Sequence, residues 1–203
     1  MSPAEWALGY GPAGDEPTIF SHALSLSLLH GHGRWPDGGF PLPDEPQHGD
    51  EHVLMPTVVL DGIGVRHFSA GRDPAAVSDI TGLIGALVTG EASRDTLIAL
   101  HEAAGRVPAL KVADDLAREL RERQLPRDRV RAVGRHLAER GTRRDVVKAG
   151  IVVIGVAGDE RDRDLLMLLG ALEEFTLYVV VALLNTQPDR QRAVFDLARQ
   201  VTG

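Results

Sequence analysis

From Asp73 onward, apolar residues recur at helical spacing, and a start signal precedes each recurrence. Asp73-Pro74 reads as an N-cap followed by proline at the first helical position. Val77, Ile80, Ile84 and Leu87 then share one face. Ser93 precedes a second helix carrying Leu97, Leu100 and His101. Pro108 opens a third, with Leu110, Ala113, Leu116, Ala117 and Leu120 inward, and Pro126 a fourth, with Val130, Val133 and Leu137 inward.

Two intensely apolar runs follow, GIVVIGVAG at 150–158 and EFTLYVVVALL at 174–184. Thr142-Arg-Arg-Asp145 has the form of a capping box with Asp in place of Glu, and it predicts a helix from Arg143. Val146, Val147, Gly150, Ile151 and Ile154 would line its face, with Gly150 and Gly155 allowing close helix approach. Asp159 would cap the next helix, with Leu165, Leu166, Leu168, Leu169 and Leu172 apolar. The run 174–184 is apolar all round, as expected of a helix buried on several sides. Thr186-Gln-Pro-Asp189 predicts the cap of a last helix, with Ala193, Val194, Leu197 and Val201 inward.

The same runs admit an α/β alternative, with strands near 151–156 and 175–183, because Ile, Val, Tyr and Phe favour strands. It would put GVAGDE at a strand's carboxyl end, where nucleotides often bind. The segment has neither G-x-G-x-x-G nor G-x-x-x-x-G-K-[ST], and the alternative leaves the capping signal at 142–145 unexplained.

The front of the chain is different. Residues 1–16 are rich in Gly, Pro and Asp and read as a mobile arm. Pro17 opens a short helix with Ile19, Phe20, Ala23, Leu24 and Ser27 on one face. Residues 31–52 form a long Pro/Gly loop, pinned by Trp35 and Phe40. Asp61-Gly62 between two β-branched runs predicts a hairpin with strands near 57–60 and 63–68. The fold class is therefore mainly α: an irregular N-terminal region, 1–72, with one β-hairpin, and a helical domain, 73–203.

Composition narrows the chemistry. Aromatics make up only 4%, so the core is built from aliphatic side chains. There is no cysteine, which excludes disulfides, thiolate metal sites and cysteine nucleophiles and fits a cytoplasmic protein. Met1–Gly14 lacks the pattern of a signal peptide. The longest apolar runs are about ten residues, half of what a bilayer span needs, so no membrane partner is expected. The net charge of −7 is uneven: residues 1–75 hold 10 acidic and 3 basic side chains, residues 106–148 hold 13 basic and 7 acidic.

The helix starts near 108/126, 143/160 and 173/188 give three pairs at a spacing of about 30 to 35 residues, a period that marks solenoids. Over roughly 108–203, charged starts (ERDRDLL, DRQRAVF) alternate with small-aliphatic helices (VVKAGIVVIGVA, FTLYVVVALL). In this the chain resembles HEAT-like or armadillo-like α-helical repeat proteins. The resemblance implies stacked antiparallel helix pairs and an interaction scaffold, with no cofactor and no catalytic residues. A solenoid needs a polar capping face at each end. The last helix is ordinarily amphipathic, so either a second copy is expected to cover it or the chain belongs to a longer protein.

Two sites suggest other chemistry. His30, His32, His48 and His52, with carboxylates nearby, could bind a zinc-like ion and support a metal-dependent hydrolase. The residues Arg118, Arg121, Arg127, Arg131, Arg135, Arg143 and Arg144 could form a face for an acidic protein or a nucleic acid, although no aromatic residue interleaves them. His101 and His136 read as structural or exposed. The sequence favours a non-catalytic protein-interaction scaffold, with the hydrolase and the nucleic-acid module as alternatives.

Overall fold

The computed structural model describes residues 17–30, 41–44, 72–90 and 92–200. Among these residues the chain forms nine α-helices and no strand. They are α1 (Ile19–His30), α2 (Pro74–Thr89), α3 (Arg94–Gly105), α4 (Ala109–Glu122), α5 (Arg127–Arg140), α6 (Arg144–Ala157), α7 (Arg163–Gly170), α8 (Glu173–Thr186) and α9 (Arg190–Ala198). A single 3-10 turn, Glu160–Asp162, leads into α7. The α/β alternative is overturned: residues 151–156 lie in α6 and 175–183 in α8. A helix satisfies the backbone of an apolar run within itself, whereas a strand needs a neighbouring strand. The predicted hairpin at 57–60 and 63–68, with Trp35 and Phe40, lies outside the described residues.

Local start signals set most helix boundaries. The Asp73 carboxylate accepts from the Ala76 amide at 3.0 Å, the Ser93 hydroxyl from Thr96 at 3.1 Å and the Asp189 carboxylate from Arg192 at 3.0 Å. Asp159 and Asp162 form a reciprocal capping box before α7. The box predicted at Thr142–Asp145 does not form: Arg143 is the N-cap and its side chain makes no capping bond. Asp145 instead accepts from the Ala109 amide at 2.8 Å and so caps α4, which starts after a proline and has no cap of its own. The amide of Arg144 donates in turn to Asp44 at 2.7 Å. Each carboxylate meets the positive end of another helix.

Helix α6 is the hub. It packs against α3, α4, α5 and α8, and α2 touches α4, α4 touches α6 and α6 touches α8. Val146, Ala149, Val153 and Ala157 belong to a core shared with α2 to α5. Val147, Ile151 and Ile154 belong to a second core shared with α1, α7, α8 and α9. The helix is thus buried all round, beyond the single face the sequence predicts. Gly150 and Gly155 do serve close approach: a Cβ on Gly150 would lie 2.6 Å from the Ala138 amide of α5, and one on Gly155 3.3 Å from Cα of Ala182 on α8.

The N-terminal helix is part of this body. Ile19, Ala23 and Leu26 of α1, with Leu42, enter the second core, and the Ile19 amide donates to the Gly141 carbonyl at 3.0 Å. Of the predicted face 19/20/23/24/27, Ile19 and Ala23 are buried and Phe20 packs at the edge of the core, but Leu24 is exposed and Leu26 is buried in its place. The Thr18 hydroxyl caps this helix at the Ser21 amide.

Candidate functional site

The arginines are mostly bound within the protein. Arg127 donates to the carbonyls of Ala157 and Gly158 at 3.1 and 2.8 Å, at the C-terminal end of α6. Arg129 does the same to Val88 of α2 at 2.9 Å, and Arg143 to His101 of α3 at 3.2 Å. These ends carry the negative pole of the helix dipole, which a guanidinium complements. Arg131 and Arg135 grip Asp162. Arg144 reaches Asp44 at 3.2 Å and Glu174 at 3.8 Å. Five of the seven arginines expected to face an acidic partner therefore tie helices together. Arg118 is exposed and pairs with Asp115 at 2.7 Å, and Arg121 is exposed.

Buried charge collects at two places. At the first, Asp162 is fully buried and accepts from Arg131, Arg135 and the Asp159 amide. Burial alone would raise its pKa, but the Arg131 and Asp159 hydrogen bonds outweigh it and hold the carboxyl below the usual range. At the second, Lys148 is buried, sits 2.5 Å from Glu174 and lies 5.4 Å from the centre of the Tyr178 ring. Both clusters join neighbouring elements, α5 to the turn before α7 and α6 to α8.

Of the predicted metal set, His30 closes α1, while His32, His48 and His52 lie outside the described residues. Among the described residues no group of three or more His, Cys, Asp or Glu side chains is placed to hold a metal. No helix among them is long and apolar enough to cross a membrane.

The structure brings together a pair that the sequence left apart. His101 of α3 and His136 of α5 meet edge to face, ring centres 5.5 Å apart. Burial, and then Arg143, lowers His101 from 6.5 to about 4. Burial, then His101 and Arg140, lowers His136 to about 4. Unfolded, both rings titrate near 6.5. Between pH 4 and 6.5 the unfolded chain therefore binds more protons than the native one, and stability falls on acidification. Glu119, Asp159 and Asp162 have lowered pKa values, so their contribution is lost only below the ordinary carboxylate range. We expect the unfolding free energy to drop by about 3 kcal/mol between pH 7 and 4.5. The double variant His101→Gln/His136→Gln should lose most of that slope in urea titrations; an unchanged slope would refute the assignment.

Large apolar side chains are exposed on α1, at Leu24, Leu28 and Leu29, and in a stripe on α8. Phe175, Val179, Ala182, Leu183 and Thr186 face the core. Leu177, Val181 and Leu184 lie on the opposite side and are 61%, 52% and 40% exposed. The run is buried on several sides, against α6, α7 and α9, but not all round: one face stays open. Gly155 of α6 approaches Ala182 on the core side of α8, so the aliphatic stripe lies on the side of α8 away from that contact. Spacing of i, i+4 and i+7 in a run with no polar face was the available sequence signal. Phe195 of α9 is also exposed, at 59%, but half a turn round from its core-facing Ala193 and Leu197. Comparison with family models, curated proteins and solved structures found no match to this chain.

Proposed function

We propose that the chain is a non-catalytic protein-interaction scaffold, a short stack of helix pairs of the HEAT-like or armadillo-like kind, and that the outer face of α8 is its binding surface. The observation that carries this reading is the stripe Leu177, Val181 and Leu184, left open on a helix that otherwise packs against α6, α7 and α9. Exposed apolar side chains aligned on one helix face are what a partner helix needs to bury. The succession α2, α4, α6, α8 supports the stacked arrangement. The buried charges support a scaffold too, since each lies against an opposing charge or a helix end.

A photo-crosslinking residue at position 181 tests the reading, with the same residue at exposed Lys111 of α4 as control. Discrete protein adducts in an extract of the source cells are expected at 181 and not at 111. Equal adducts at both positions, or none at 181, would overturn it.

A further inference from the structure

We propose that the open face of α8 is covered by a second copy of this chain, in a two-fold, antiparallel contact of α8 with α8. The inference rests on the reading of that face as an interaction surface and names its occupant.

The first and last helices of the contact series α2, α4, α6, α8 differ. The exposed positions of α2 include Ser78, Asp79, Gly82, Ala86 and Thr89, a polar and small-residue surface suited to water. The α8 end carries three large aliphatics instead. A head-to-tail copy would set leucines against the polar face of α2 and bury little. An isologous contact places the stripe on itself and closes with two copies.

The stripe is self-complementary in this sense. A two-fold axis crossing α8 between Val180 and Val181 sets Leu177 opposite Leu184 of the partner subunit and brings the two Val181 side chains together. It also aligns the two helix dipoles antiparallel, which is their favourable arrangement. Charge fits the same register. Exposed Glu173 continues the stripe one turn before Leu177, about 11 Å along the helix from the axis. At that level, opposite Pro188, the partner subunit's chain has left α8, and exposed Arg190 opens α9 two residues on. Neither Glu173 nor Arg190 makes an ion pair among the described residues. A contact of one helix per subunit is small, so the dimer should dissociate on dilution.

Sedimentation velocity on the full chain, from nanomolar to submillimolar concentration, reads this out. A reversible monomer–dimer equilibrium is expected. Val181→Glu should weaken it about tenfold or more, by burying two like charges at its centre. Val181 is exposed, so circular dichroism should show the variant folded as the wild type. Glu173→Arg should weaken the dimer, and Glu173→Arg/Arg190→Glu should restore it; failure to restore overturns the antiparallel register. A monomer at every concentration, or a dimer indifferent to Val181→Glu, overturns the proposal. If the chain is monomeric yet a crosslinker at 181 captures another protein, self-association falls and the interaction surface stands. If position 181 captures nothing, both fall.

Discussion

Replacing Asp162 by alanine should cost about 3 to 5 kcal/mol, the largest loss expected from a single polar substitution among the described residues. The carboxylate is fully buried. It accepts from Arg131 Nε at 2.7 Å, Arg131 Nη2 at 2.8 Å, Arg135 Nη1 at 2.9 Å and the Asp159 amide at 3.0 Å. Removing it strands two guanidiniums in a partly buried site, with side-chain exposures of 16% and 32%, and orphans a backbone amide. A charge left unpaired in such a place costs far more than the pair contributes when intact. The capping box before α7 is lost with it. Thermal unfolding should move down by about 10 °C for a chain of this size. Arg135→Ala should cost less, because Arg131 still holds the carboxylate bidentately and Arg135 divides its bonds with Glu139. A loss below about 1 kcal/mol for Asp162→Ala would show that the carboxylate is dispensable.

The sequence carried the helix starts well because their caps are local. Asp73, Ser93 and Asp189 each bond an amide three residues on, so the signal and its target lie in one window. It failed wherever the partner is distant in sequence. The cap of α6 comes from Asp44, a hundred residues away, and Asp145 caps α4 rather than its own helix. The arginines show the same limit. A basic segment looks like a binding patch until Arg127, Arg129 and Arg143 are seen on the carbonyl ends of three helices. Periodicity identified both apolar runs as helices but missed the full enclosure of α6 and the open face of α8. It records which residues align, not how many helices lie beside them, and only the packing makes α6 enclosed and α8 open. The His101–His136 pair was invisible for a related reason: the two rings lie on helices whose contact no local pattern encodes.

Gly150 offers the sharpest test of that packing. Alanine there should destabilise the protein by about 2 kcal/mol, although alanine is the better helix former by about 1 kcal/mol. The added Cβ would sit 2.6 Å from the Ala138 amide, 2.8 Å from the Gly134 carbonyl and 2.9 Å from the Leu137 Cβ. The nearest atoms are backbone, so no side chain can swing aside and α5 itself has to move. Valine or leucine should cost more, since they add volume where a methyl group already collides. Two other helical glycines supply controls that should not share this loss. Gly155→Ala brings a Cβ to 3.3 Å from Ala182 Cα and 3.5 Å from its Cβ, tighter than ordinary contact but relieved by a shift of a few tenths of an ångström, so propensity and crowding should nearly cancel. Gly82 of α2 is exposed, and a Cβ there meets nothing within 4 Å. Gly82→Ala should therefore stabilise by about 0.5 to 1 kcal/mol. Urea unfolding of the three variants should rank them Gly82→Ala above Gly155→Ala above Gly150→Ala. If alanine at 150 stabilises as it should at 82, helices α5 and α6 do not cross as closely as their backbones indicate. The shared wall between the two cores would then have to lie elsewhere.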